Sequence, residues 1–124
     1  MSIRGGLAAL VVVLAMLVSA CGGAQARLAS HMERGRAYLA KRDYVKATVE
    51  FRNAIQIDPK NAQARLLAGH TAELLARWRE AAGLYQSVID AHPDNAEARA
   101  DLGRLYGLAG APAKPASPLR ATHA

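Results

Sequence analysis

Apolar residues recur at three- and four-residue spacing through most of the segment from Leu28 to Ala109. One such stripe runs from Ala47 through Phe51 to Ala54, while charged residues occupy the positions between. This spacing places the apolar side chains on one face of an α-helix. Residues that favour turns interrupt the pattern four times. The pattern therefore predicts five amphipathic helices, over residues 28–41, 44–57, 62–75, 78–91 and 96–109.

The first four predicted helices form two pairs that repeat one another at an offset of 34 residues, the distance from Gly35 to Gly69. The matched positions are Gly35 with Gly69, Tyr44 with Trp78, Ala47 with Ala81, Phe51 with Tyr85, Pro59 with Pro93, and Asn61 with Asn95. A period of this length with these residue types resembles the tetratricopeptide repeat (TPR), a helix–turn–helix unit that stacks into solenoids. The resemblance implies an all-α fold, a short TPR solenoid of two helix–turn–helix repeats plus a C-terminal capping helix.

The resemblance also divides the chain, into a first repeat over 28–61, a second over 62–95, a capping half-repeat over 96–109 and a disordered, proline-rich tail over 110–124. Gly35 and Gly69 are expected where two helices approach closely, and the aromatic residues of the repeats are expected to pack between helices. TPRs usually have glycine in the turn within each repeat, where this chain has Arg42 and Ala76. At least three repeats are usually needed for a stable solenoid, so we expect the fold to gain from a partner, which can be a second copy.

The N-terminus has the features of an export signal. Arg4 precedes an unbroken apolar run from Leu7 to Val18, shorter than the ~20 residues of a membrane crossing. The small residues Ser19 and Ala20 then precede Cys21, which resembles the lipobox of bacterial lipoproteins. The resemblance implies that residues 1–20 are removed and that Cys21 carries acyl chains such as palmitate.

A lipidated Cys21 would anchor the chain to a membrane without a spanning helix, since two or more acyl chains hold a protein stably. Residues 21–27 would then be the lipidated cysteine and a flexible tether. Enteric lipoproteins kept in the inner membrane have aspartate after the cysteine, so Gly22 implies the outer membrane, facing the periplasm. Two alternatives stay open. Cys21 can be an ordinary residue that follows a signal cleaved elsewhere, or Leu7–Val18 can stay uncleaved as a membrane anchor.

Composition and motifs argue against several classes of function. The 16 Lys and Arg residues exceed the 10 Asp and Glu residues, but they are scattered and form no tract or nucleic-acid-binding motif. A single cysteine excludes an intrachain disulfide and a cysteine-based zinc site. None of the four histidines lies three or four residues from another, and no nucleophilic triad motif or phosphate loop is found. We therefore predict no enzymatic activity, no cofactor, no metal site and no nucleic acid partner.

The resemblance implies a binding groove on the first helix of each repeat. The corresponding residues are Met32, Arg36 and Leu39 in the first repeat, Leu66, His70 and Glu73 in the second, and Ala100 and Arg104 in the capping helix. We expect the arginines to pair with a carboxylate of a partner protein. The alternative is that these residues are only the solvated face of the solenoid. Chaperone-binding TPRs use a lysine and an asparagine where this chain has Met32 and Arg36, so that activity is not implied.

These features together predict a membrane-anchored protein–protein interaction module of the bacterial cell envelope, a scaffold or assembly factor. Residues 37–41 and 61–65 resemble the opening repeats of the TPR lipoproteins of PEP-CTERM and exopolysaccharide systems, which are much longer. The alternative is a structural or regulatory adaptor held by an uncleaved N-terminal anchor.

Overall fold

The computed structural model describes the backbone of residues 2–108, so the tail predicted over 110–124 lies outside the described residues. The described residues form helices and turns and no strand, which confirms the all-α prediction. The five helices are α1 (Ser2–Ala40), α2 (Tyr44–Ile57), α3 (Ala62–Leu74), α4 (Trp78–Ala91) and α5 (Ala96–Leu108).

The first helix is much longer than the sequence pattern predicts. It begins at Ser2 instead of Leu28, and residues 21–27, predicted as a flexible tether, lie within it. Gly22 and Gly23 each lower helix propensity by about 1 kcal/mol, but this segment contains no proline to end the helix. The structure therefore gives a continuous helix in place of a tether.

The N-terminal part of α1 is long and apolar enough to cross a membrane, by length and composition alone. Its apolar side chains are exposed, among them Leu10 and Met16. A signal sequence near an N-terminus has the same properties. Cleavage before Cys21 and retention as an uncleaved anchor therefore both stay predictions.

The chain divides into two compact units, which we call unit 1 (Met1–Pro59) and unit 2 (Lys60–Ala124). In unit 1, α2 packs against α1. In unit 2, α4 packs against both α3 and α5. The apolar core of unit 2 is formed by Leu66, Ala72, Ala81, Tyr85, Val88, Ala98, Leu102 and Leu105.

The turn within each repeat ends its first helix in a left-handed residue. Arg42 has φ of 60° and Ala76 has φ of 57°. The N–H of Arg42 donates to the carbonyl of Leu39 at 3.0 Å, and the N–H of Asp43 donates to that of Tyr38 at 2.9 Å. This is the Schellman pattern of a helix C-terminus, and Ala76 repeats it in unit 2. The turn thus keeps the geometry that favours glycine even though neither residue is glycine.

Polar side chains cap the N-termini of α2 and α3. Asp43 accepts a hydrogen bond from the N–H of Lys46 at 3.2 Å at the start of α2. Asn61 accepts one from the N–H of Ala64 at 2.9 Å at the start of α3. Each satisfies a backbone donor that has no partner within its helix.

Each repeat packs a buried aromatic ring against a glycine of the preceding helix. A Cβ atom built on Gly35 would lie 2.5 Å from the ring of Phe51, and one on Gly69 would collide in the same way with Tyr85. Both rings are fully buried. The close approach expected at these glycines is therefore confirmed. The expectation that the aromatic residues pack between helices is wrong for Trp78. Its side chain is 53% exposed because it begins α4 beside the turn.

Candidate functional site

In unit 1, the three predicted groove residues lie on α1 with different exposures. Met32 is only 7% exposed, so it is a buried residue rather than an accessible contact. Leu39 is half-buried. Arg36 is exposed and makes no ion pair with another described residue. Arg36 and Leu39 are three residues apart and lie on the same side of the helix. They form the accessible part of the predicted surface in this unit.

In unit 2, the structure brings together three of the five predicted residues. His70 and Glu73 lie on α3, and Arg104 reaches Glu73 from α5. Leu66 is 2% exposed and belongs to the core, so it is not part of an accessible surface. Ala100 is exposed on α5. The accessible surface in this unit is therefore mainly polar.

The contact between Arg104 and Glu73 uses both oxygens of the carboxylate. Arg104 Nη1 donates to Glu73 Oε2 and Arg104 Nη2 to Glu73 Oε1, each at 2.8 Å. A bidentate, charge-assisted pair of this kind is among the stronger polar contacts in proteins. The guanidinium group predicted to bind a partner's carboxylate is therefore already engaged within the chain.

The hydroxyl group of Tyr85 also donates to Glu73 Oε1, from the core of the unit. The hydrogen bonds from Arg104 and then Tyr85 stabilise the charged carboxylate and hold the pKa of Glu73 below its ordinary value. Burial and the bond to Glu73 raise the pKa of Tyr85. The same carboxylate raises the pKa of Arg104. The three groups thus form one network in which Glu73 accepts hydrogen bonds from both Arg104 and Tyr85.

The network extends to a second carboxylate that the sequence analysis did not single out. Asp101 Oδ2 lies 2.7 Å from His70 Nε2, and Asp101 Oδ1 lies 3.4 Å from Arg104 Nη2. Glu97 stands one turn before Asp101 on α5. His70, Glu97 and Asp101 each offer one ligand atom within 4.8 Å of the other two, so they can hold a metal ion. Sequence reasoning placed His70 in the groove but gave Glu97 and Asp101 no role, because it sought the partners of each histidine nearby in the chain.

Unit 1 contains a smaller cluster around Glu50. His31 Nδ1 lies 2.6 Å from Glu50 Oε2, and Arg34 Nε donates to the same oxygen at 3.2 Å. The hydrogen bond from His31 is the main cause that lowers the pKa of Glu50. This cluster joins α1 to α2 and includes none of the predicted groove residues.

Comparison with known proteins bears on the fold. Residues 29–61 match the family model of the tetratricopeptide repeat. No curated protein matches the chain. Among 41 matching chains of solved structures is the first TPR of Spaghetti (RPAP3), bound to the HSP90 peptide SRMEEVD. It is similar over 68% of this chain and 67% of its own, with a TM-score of 0.63 and 20% sequence identity. The likeness confirms that the helices of this chain adopt a TPR fold.

Proposed function

We propose that the chain is a protein-interaction module, held at a membrane of the bacterial cell envelope, that binds a segment of a partner protein through the first helices of its repeats. The observation that carries the proposal is the TPR fold, shared with a TPR that has a peptide bound. Such folds present side chains on rigid helices, where an extended or helical segment of another protein can dock. The proposed function requires no catalysis and no cofactor.

In unit 1, the exposed Arg36 beside the half-buried Leu39 supports a partner segment that carries a carboxylate beside an apolar residue. Arg36 has a guanidinium group without an ion-pair partner among the described residues. Arg104 is bound by Glu73 and would have to give up that pair first. Recognition of a partner's carboxylate therefore belongs to Arg36.

A photo-crosslinking residue at position 39, placed in the chain in its native host, tests this interaction. We expect it to give a discrete adduct, and Arg36→Glu in the same chain should abolish it by repelling a carboxylate. A crosslinker at Gln56, which is exposed on α2, is the control for random collision. An adduct at twice the mass of the chain would identify a second copy as the partner. Equal adducts from positions 39 and 56, or an adduct insensitive to Arg36→Glu, would contradict the proposal.

The proposed anchor is an acylated Cys21 in the outer membrane, facing the periplasm. The apolar N-terminal segment of α1 supports membrane attachment, because it suits either a signal sequence or a span. A cleaved signal sequence and an uncleaved span can be distinguished by the intact mass of the detergent-extracted chain, measured with and without globomycin. A mass that begins at lipidated Cys21 and is lost with the inhibitor supports the lipoprotein. A mass that begins at Met1 supports the alternative, an adaptor held by an uncleaved anchor.

A further inference from the structure

Three side chains of unit 2 that can ligate a metal converge from two helices. His70 lies on α3, while Glu97 and Asp101 are one turn apart on α5 and face the same side. Their ligand atoms lie within 4.8 Å of one another. Around a tetrahedral zinc ion with bonds of about 2.1 Å, ligand atoms lie about 3.4 Å apart. Because Glu97 is exposed, rotation of its side chain can close the remaining gap.

Two of the three ligands are already oriented towards a common point. His70 Nε2 lies 2.7 Å from Asp101 Oδ2, so a zinc ion that replaces the proton between them has to move the two atoms apart by about 0.7 Å. The other oxygen of Asp101 is 3.4 Å from Arg104, which Glu73 holds with two hydrogen bonds of 2.8 Å. Outer partners of this kind fix the direction of a metal ligand. Asp101 can therefore keep its contact with Arg104 while Oδ2 binds a metal.

From this arrangement we infer that His70, Glu97 and Asp101 bind zinc or a similar divalent transition-metal ion. Two carboxylates supply a charge that complements the cation, and the positive charge of Arg104 is offset by Glu73. The imidazole nitrogen favours zinc and its transition-metal neighbours over magnesium and calcium, which prefer oxygen ligands alone. Water completes the coordination of a site with three protein ligands. This inference replaces the prediction, made from the sequence alone, that the chain has no metal site.

Unit 1 provides a matched comparison within the same chain. Its His31 and Glu50 are 2.6 Å apart, much as His70 and Asp101 are 2.7 Å apart. The third group beside that pair is Arg34, a cation that donates to Glu50 at 3.2 Å. A cation repels a metal ion and offers no ligand atom. The pair in unit 1 should therefore bind no zinc.

Isothermal titration of the full chain with zinc chloride in detergent micelles tests the inference. Cys21→Ser should be present in every variant, so that no thiol binds zinc. We expect one zinc ion per chain. Since changes to outer partners alone weaken metal binding by about 10- to 100-fold, Glu97→Gln and His70→Gln should each weaken it by at least about tenfold. His31→Gln should leave zinc binding unchanged.

Glu97→Gln is the decisive variant, because Glu97 is exposed and makes no ion pair with a described residue. The substitution therefore removes a ligand without disturbing the fold. Cobalt(II) in place of zinc gives a second readout, because bound cobalt absorbs visible light. This absorption should appear in the parent chain and be lost in Glu97→Gln. No saturable zinc binding, or equal binding in the parent and both ligand variants, would overturn the inference. Neither result bears on the crosslinking from position 39, so the two proposals fail separately.

Discussion

The two repeats differ at two pairs of corresponding positions in a way that changes which polar contacts each can make. Phe51 and Tyr85 occupy the same position, 34 residues apart, and both rings are fully buried. The hydroxyl group of Tyr85 donates to Glu73. The position that corresponds to Glu73 in the first repeat is Leu39, which offers no acceptor. Tyr85, whose ring has a hydroxyl group, is thus paired with a carboxylate. Phe51, whose ring has none, is paired with an apolar side chain.

This difference decides where charged groups remain accessible. In unit 2, Glu73 binds Arg104 as well as Tyr85, so the guanidinium group of Arg104 is engaged within the chain. In unit 1, Leu39 leaves the nearby Arg36 without such a partner. The same repeat plan therefore leaves an accessible guanidinium group, that of Arg36, in one unit. In the other unit it yields an internal polar network.

The largest effect is expected when the two ring-contacting glycines are replaced by alanine. Overpacking costs typically about 1–3 kcal/mol, and we expect Gly69→Ala to lie at the upper end and Gly35→Ala at the lower. A Cβ atom at either glycine collides with the ring, but the ring of Tyr85 is also held by its bond to Glu73 and cannot shift freely. Urea unfolding followed by circular dichroism measures both.

Gly103→Ala is the control, because a Cβ atom there meets nothing within 4 Å. It should stabilise the chain by up to about 1 kcal/mol through helix propensity. If Gly69→Ala proved no more costly than Gly35→Ala, the bond of Tyr85 would not restrain its ring.

The next effect comes from adding the missing hydroxyl to the first repeat. Phe51→Tyr should lower the free energy of unfolding by about 1–3 kcal/mol, because it buries a hydroxyl where Leu39 offers no acceptor. Adding Leu39→Glu should recover part of this loss by recreating the pair found in unit 2. A double-mutant cycle measures the coupling between the two positions. A coupling of zero would show that the two pairs of positions are independent.

Much of the fold could be predicted from the sequence, because its signals are local or periodic. The offset of 34 residues located the helices α2 to α5 and the packing glycines Gly35 and Gly69. The length of α1 could not be predicted in this way. Gly22 and Gly23 suggested a flexible segment, yet glycines weaken a helix without ending it.

The candidate site could be predicted only in part, because its contacts join residues far apart in the chain. Arg104 was expected to face a partner, but Glu73, 31 residues earlier, binds it. Asp101 received no role from the sequence, although its one-turn spacing from Glu97 would have paired them on one helix face. Such pairings depend on how helices pack, which no local pattern specifies.

The turns allow a stabilising prediction of smaller size. Arg42→Gly and Ala76→Gly should each stabilise the chain by about 0.5–1 kcal/mol, since glycine adopts positive φ without the strain that a Cβ atom brings. Both repeats should respond equally, because the two φ angles differ by only 3° (60° against 57°). Thermal unfolding measures the gain. Ala37→Gly, at an exposed position within α1, is the control and should destabilise instead.

The smallest expected effect is a dependence on pH that separates the two carboxylate clusters. The pKa of Glu73 and that of Glu50 are both held below the ordinary value of 4.5. A carboxyl group with a lowered pKa in the folded chain stabilises it above the unfolded pKa, and this contribution is lost as pH falls through the folded pKa. The advantage of the parent chain over Glu73→Gln in melting temperature should therefore shrink below about pH 4.5.

Arg104→Gln sharpens this test, because the hydrogen bond from Arg104 is the main cause that lowers the pKa of Glu73. In that background, Glu73→Gln should change the pH dependence of melting much less. Glu50→Gln should keep its full effect there, since the pKa of Glu50 is lowered mainly by His31. If Arg104→Gln reduced the effect of both glutamates equally, the two clusters would not be electrostatically separate, and the contrast between the repeats would fail at this point.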